Sequence, residues 1–483
     1  MYSPAHGKLR ALLLAAVVSS YCCYVHGGSE RNLRQETEAA AAAPAPRSRA
    51  ALEALNAVRQ LAAVEVDAEK GHSSATGGSL FAMEKVRTYE GTRLPPPETI
   101  FTDPPESEKC ERWAVLTSIF EPTDTVRQLG AAEDWCVVVV GDQNGPADYN
   151  VEGVTYLTPA DQEQLPYRIV SLLPWNHFGR KNIGYLYAVH HGATVIYDVD
   201  DDNALIFPEA GVPHTLSPFT PASTTSFAVG PEAFVHNPYG CFGGPANVWP
   251  RGFPLDSIND PDSNRCDEVA VEVEVVESSP HDEGWRLGVV QALANHDPDV
   301  DAVYRLTYPP GGLPFDFEVP EPVPEGMSPL KIVPPAAFTP YNAQATLHFP
   351  PAFWGMLLPV TVHGRVSDIW RSYFTQTLLP STGAVTAFAP AWVEQIRNPH
   401  NYLADFQAEL PLYEQSGALV TFLDAHRRQS AAASEAGVGL PERIDALMVE
   451  MYEYGVLEEA DVQLSQAWLE DLYSVGYNPN TTG

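Results

Sequence analysis

Residues 135–143 read WCVVVVGDQ, and this run narrows the folds open to the chain. A strand with one wet face alternates apolar and polar residues, whereas four successive valines call for cover on both faces. Helices on the two sides of a parallel sheet supply that cover. The neighbouring sequence agrees. WAVLTSIF at 113–120 is a second strand candidate, and PTDTVRQLGAAED between the two holds helix formers behind a cap at Thr123 or Asp124. Together they predict a β-α-β unit. A further helix is predicted where Ile183, Leu186, Tyr187 and His190 recur at helical spacing, with Gly192 placed to end it before the strand in ATVIYDVDDDN at 193–203.

With 483 residues, 45% of them hydrophobic, the chain can bury a large core in two or three domains. Its formal charge of -34, from 62 acidic and 28 basic residues, repels phosphate backbones and anionic lipid, so no nucleic-acid partner is expected. Residues 1–28 carry Lys8 and Arg10, then an apolar stretch from Ala11 to Val25, then Gly27 and Gly28, the pattern of a secretory signal. That stretch is shorter than the ~20 residues of a comfortable span. A cleaved signal and a single-pass signal-anchor both stay open, and either places the rest of the chain in the secretory lumen or outside the cell. Residues 29–108 read as an Ala/Pro-rich stalk, 109–390 as the folded α/β body and 391–483 as a helical C-terminal region. Outside the leader, Cys110, Cys136, Cys241 and Cys266 permit three pairings and match no zinc spacing. DEVAVEVEVVE at 267–277 predicts a half-exposed edge or hairpin strand.

The strand at 193–199 runs into Asp198, Asp200, Asp201 and Asp202. In open α/β sheets, ligands sit just beyond the carboxyl ends of the strands. Mutual repulsion makes a plain solvated turn a poor explanation for so dense a cluster. EF-hand spacing is met by Asp198, Asp200, Asp202 and Glu209, but Asn203 stands where glycine is required and Pro208 interrupts the loop. The chemistry left is a hard divalent cation, Mn2+ or Mg2+, shared with a diphosphate. Arg180 and Lys181 stand at a helix start, where the macrodipole disfavours cations but a phosphate would be met by backbone N–H groups and both side chains.

The segment GRKNIGYLYAVHHGATVIYDVDDDN resembles the core of GT-A glycosyltransferases and, more closely, the STELLO family of Golgi glycosyltransferases. The similarity runs on through WCVVVVGDQNGPADY, LPYRIVSLLPWNHFGRKN, GGPANVWPRGFPLD, the block at 341–379 and the block at 395–424, covering most of 110–425. A looser similarity, through VDDDN and SDIW, links the chain to reversibly glycosylated polypeptides, which are UDP-arabinopyranose mutases. The resemblance implies a GT-A-like α/β fold, a mostly parallel central sheet flanked by helices. It implies metal binding by Asp200 and Asp202, and donor or cofactor contacts from Asp198, Asp201, Arg180, Lys181 and Asp142. Transfer to a hydroxyl also needs a base, for which Asp368 in HGRVSDIWRS is the candidate and His363 the outside one, with Trp370 nearby as a platform for a sugar face. Asp368 equally fits a helix cap before IWRSYFTQTLL. Asn247, Trp249, Arg251 and Asp256 have the character of acceptor loops.

The expected function is transfer of sugar from a metal-bound nucleotide sugar, a UDP-sugar being favoured, to a carbohydrate or glycoprotein acceptor. The expected place is the Golgi lumen, as a type II single-pass protein, or outside the cell. A non-catalytic scaffold within a glycan-synthesis complex and a nucleotide-sugar mutase or self-glycosylating protein are the alternatives. The helices beyond 425 fall outside the resemblance and receive no function.

Overall fold

Strands β1 (Arg112–Thr117) and β2 (Cys136–Val140) pair in parallel, with helix α1 (Asp124–Gly130) crossing between them. This computed structural model describes residues 83–92, 100–206, 223–228, 235–245, 247–274, 285–307, 315–317, 328–395 and 401–480. The expected leader and most of the expected stalk lie outside them. α1 begins where Thr123 Oγ1 accepts a hydrogen bond from Val126 N, the first of the two caps foreseen. β3 (Val154–Leu157) adds in parallel beyond β2, followed by α2 (Pro159–Gln164). Helix α3 (Lys181–His190) then crosses to β4 (Val195–Val199), which pairs in parallel with the other side of β1. Gly192, at φ +86°, follows the end of α3 in the left-handed conformation that a side chain would strain.

Beyond β4 the chain adds β5 (Asn203–Leu205), β6 (Ser223–Ala228), β7 (Asp267–Glu274), β8 (Trp285–Asn295), α4 (Ala302–Thr307), β9 (Ser328–Ile332) and β10 (Ala345–His348). Helix α5 (Gly364–Leu378) and β11 (Ala384–Gln395) complete the sheet region. β10 lies antiparallel between β4 and β8, β11 runs parallel to β8, and β5 pairs antiparallel with the end of β11. β7, β6 and β9 lead from the start of β8 back to β11. Among the described residues the result is one mixed, mostly parallel eleven-stranded sheet that curls on itself, an α/β architecture of GT-A-like form. β7 is a strand, but neither the edge nor the hairpin arm foreseen, since it lies between the distant β6, antiparallel, and the start of β8, parallel.

The valine run works as its pattern requires. Val138 and Val140 join the core that holds Ile183 and Leu186 of α3, while Val137 and Val139 join a second core with Val126 and Leu129 of α1. After the short α6 (Tyr402–Ala408), which buries no residue, the larger core continues into the C-terminal helices α7 (Leu410–Glu435), α8 (Leu440–Glu453) and α9 (Glu459–Ser474), through Leu419, Leu423, Leu447, Met451, Trp468 and Leu472. Carboxylates of α9 tie these helices to loops of the sheet region: Asp461 accepts from Val360 N (2.7 Å), and Asp471 from Arg168 N (2.9 Å) and Ile169 N (3.0 Å). Residues 83–92 also lie on this layer, where Val86 N and Arg87 N both donate to Glu453 O and the Arg87 guanidinium stacks on Tyr452. The four cysteines pair as Cys110–Cys136 and Cys241–Cys266.

α3 approaches the sheet closely because its contact residue is Gly184. A Cβ there would meet Val115 Cγ1 at 2.6 Å and Val140 Cγ2 at 2.9 Å. Gly184→Ala should therefore destabilise the fold by ~1–3 kcal/mol through overpacking, even though alanine is the better helix former. The urea unfolding midpoint measures this, and adding Val115→Ala to the variant should restore part of the loss.

Candidate active site

β4 delivers Asp198 into a fully buried position between two helices. Lys181 Nζ of α3 lies 2.6 Å from Asp198 Oδ1, and Arg371 of α5 donates to Asp198 Oδ2 at 2.9 Å. Burial pushes the Asp198 carboxyl upward, but Lys181 and Arg371 outweigh it and hold the group below the ordinary carboxylate range. Lys181 also donates to Val199 O (2.9 Å) and Ala343 O (3.2 Å) and reaches Asp200 Oδ1 at 3.3 Å. Its whole donor capacity is thus spent within the protein. In this arrangement Asp198 and Lys181 form an internal ion pair beneath the acidic turn and do not face open solvent.

The other acidic residues emerge above that pair. Asp200, Asp201 and Asp202 line a cleft of about 410 Å³. Desolvation pushes Asp200 up to about 7; Lys181 opposes the shift, and Asp202, Asp198 and Asp201 add to it. Water reaching the exposed 38% of the Asp200 side chain tempers this rise. Asp201 turns toward the loop after β1, accepting from Ser118 Oγ, while its carbonyl accepts from Thr123 Oγ1 (2.6 Å). Burial raises its carboxyl as well.

The facing wall is the first turn of α5. His363 caps that helix, its Nδ1 accepting from Arg365 N (3.1 Å), so Asp368 sits one turn inside the helix and is not its cap. Asp368 lines the cleft with both oxygens engaged by Arg251, at 2.9 and 3.2 Å. Arg251 forks as well to both oxygens of Asp299, each at 2.8 Å. Burial works against the charged guanidinium, but Asp299 and Asp368 more than offset it and raise Arg251 well above its ordinary value. Gly252 makes the approach of Arg251 to α5 feasible, since at φ +83° its missing Cβ would fall 2.4 Å from Ile369 Cγ2. Helical spacing sorts the rest of α5. Asp368 faces the cleft, Arg371 one turn on reaches Asp198, and Trp370, on the opposite face, is fully buried in the core. Trp370 therefore offers no face to a sugar.

The remaining predicted residues hold loops. Arg180 is buried against Trp175, donating from Nε to Gln162 Oε1 (2.8 Å) and from Nη1 to Leu173 O (3.2 Å), and burial lowers it to about 10. Asp142 accepts from Asn176 N (2.8 Å) and His177 N (3.1 Å), fixing the loop that leads into α3. Trp249 Nε1 donates to Asp301 Oδ2 (2.7 Å), and Asp256 packs against Gly417 of α7. Arg251 is the one acceptor-loop candidate at the cleft wall. Among the described residues, no three His, Cys, Asp or Glu side chains gather as a metal-binding group.

The family model for STELLO glycosyltransferases matches residues 365–481, from the cleft-lining Arg365 to seven residues past the end of α9. "Probable glycosyltransferase STELLO2" of Arabidopsis thaliana is 33% identical over 385 residues, which is 78% of this chain and 46% of that protein. "Probable glycosyltransferase STELLO1" of the same plant is 31% identical over the same share of each. Across this region the chain is similar to STELLO glycosyltransferases. It spans about half the length of these STELLO relatives. The STELLO match also corrects the expectation that the family resemblance stops near 425, since α8 and α9 fall inside it.

Sequence reasoning passed over Arg371, Asp299, Gln344 and Gln395. Arg371 left a signal, a further charge one turn beyond Asp368 in GRVSDIWRSYFTQTL; the other three lie in turns and at strand ends, where no periodicity marks them. Breaking the pair at the base of the site should be costly: Asp198→Ala strands two buried cations and is expected to lose ~3–5 kcal/mol in chemical denaturation. Asp200 has the opposite effect. A carboxyl raised in the folded state favours folding at low pH and loses that advantage as pH rises through about 7. Asp200→Asn should therefore raise the thermal midpoint at pH 8 relative to wild type, with no gain at pH 4.

Proposed function

We propose that this chain is a glycosyltransferase of the secretory pathway that draws sugar from a metal-bound nucleotide sugar, a UDP-sugar being favoured, and passes it to a carbohydrate or glycoprotein hydroxyl. The observation that carries this reading is one cleft with the acidic turn on one side and Asp368, His363 and Arg251 on the other. The donor set at the turn is all oxygen and suits Mn2+ or Mg2+. Asp200 and Asp202 would hold the ion, the diphosphate and water completing its shell. When bound, the ion supplies neutralisation of charge on the departing diphosphate. Lys181 keeps the Asp200 carboxylate turned to the cleft from below, and Asp201, tied to Ser118, fixes the backbone of the turn. Asp368 faces the acceptor side as the proton-accepting group, released to do so when Arg251 leans on Asp299 alone.

Within the described residues no helix is long and apolar enough to cross a membrane. The proposed lumenal location rests on the leader pattern and on the family. The double engagement of Asp368 by Arg251 supports a second reading, a scaffold that keeps the donor site while assisting other glycan-making enzymes.

Calorimetry on the full chain with UDP and UDP-sugars, with and without Mn2+, separates the outcomes. Metal-dependent binding is expected, and the folded Asp200→Ala/Asp202→Ala variant should lose it at least ~100-fold. Affinity for Mn2+ should rise with pH through about 7, as the Asp200 proton is given up. Turnover lost in Asp368→Asn with donor binding intact would support catalysis; a folded wild type that binds no nucleotide would sink the donor site.

A further inference from the structure

Gln344 and Gln395 line the same cleft although only 6% and 8% exposed. Gln344 precedes β10, Gln395 closes β11, and between them lies Asn203, the residue after Asp202. Gln344 Nε2 donates to Asn203 Oδ1 (2.8 Å) and to Gln395 Oε1. With these bonds made, Gln344 Oε1 and Gln395 Nε2 have no partner among the described residues, and neither is sealed from solvent. One free acceptor beside one free two-proton donor matches the hydroxyls of a sugar, each of which both donates and accepts. A site with unspent amide groups also penalises any ligand that leaves them dry.

Charge narrows the ligand further. The cleft wall carries the carboxylates of Asp200, Asp201, Asp202, Asp299 and Asp368 against two guanidinium groups. Both guanidiniums are already spent, Arg251 on Asp299 and Asp368, Arg365 on Glu409. A sugar bearing its own carboxylate would find repulsion and no unpaired cation on this wall.

We propose that Gln344 and Gln395 form a hydroxyl-binding subsite for an uncharged sugar residue, and that the cleft rejects uronic acids. The inference rests on the donor reading above and deepens it by naming the class of sugar. The residue bound is the glycosyl group of the donor or that of the acceptor, and two arms of one calorimetric experiment on the full chain distinguish them. In the first, with Mn2+, UDP is compared with UDP-glucose and UDP-glucuronate, which differ only at C6. In the second, without metal, neutral gluco- and xylo-oligosaccharides are compared with oligogalacturonates.

If the donor sugar occupies the subsite, UDP-glucose binds roughly tenfold or more tightly than UDP-glucuronate. Gln395→Leu then lowers UDP-glucose affinity to that of UDP while leaving UDP itself unchanged. If the acceptor occupies it, a neutral oligosaccharide binds, the galacturonate does not, and Gln395→Leu or Gln344→Leu abolishes the binding. Uronate ligands binding as tightly as neutral ones in both arms, no neutral-sugar binding in either, or neutral affinities unmoved by both substitutions would overturn the proposal. The wild-type comparison needs no variant to fold. Loss of UDP binding alone would count against the donor reading and leave the second arm to decide this one.

Discussion

A buried carboxylate caught between two cations organises this protein. Asp198 is the penultimate residue of β4, with Lys181 of α3 on one side and Arg371 of α5 on the other. A lone buried charge costs several kcal/mol, so each partner is obligatory once the others are in place. The consequence is geometric. Two helices from distant parts of the sequence are pinned to the end of one strand, and the acidic turn that follows can emerge only into the space between them. The cleft is the opening that this pinning leaves.

Charge within the cleft is divided by depth. Below, the cations are consumed by Asp198 and backbone carbonyls; at the rim, carboxylates crowd together and Asp200 resists ionisation. Arg251 repeats the lower pattern on the opposite wall, forked between Asp299 and Asp368. The protein thus pairs its own positive groups with buried carboxylates and leaves negative ones at the rim. An anionic ligand can enter such a site only with a cation of its own, which is the physical content of the metal requirement proposed here.

The fold was legible wherever the sequence carried a period. The valine run, the Thr123 cap and the helix from Ile183 to His190 all read correctly, because local pattern and buried environment agree at those places. At the site, the sequence showed which residues were unusual without showing which way they point. Asp198 and Asp200 look alike in VDDDN and share strand parity, yet β4 ends at Val199, so Asp198 stays buried against Lys181 and Arg371 while the turn carries Asp200 into the cleft. Trp370 and Asp368 are two residues apart on a helix, which places them on opposite faces; reading the helix from Gly364 would have separated them. Gln344, Gln395 and Asp299 are joined only by tertiary structure, and no spacing within the chain announces that meeting.

The strap at residues 83–92 hydrogen-bonds to Glu453 and stacks on Tyr452, and Arg87 pairs with Glu458. The first described residues are therefore closed by nearly the last helix, across most of the chain's length. During synthesis this contact is out of reach until α8 and α9 have emerged. The strands of the N-terminal half can pair early, but the strap must wait, and with it the loops that Asp461 and Asp471 hold. Assembly of this region is thus gated by α8 and α9, and a chain interrupted before α9 leaves those loops without their anchors.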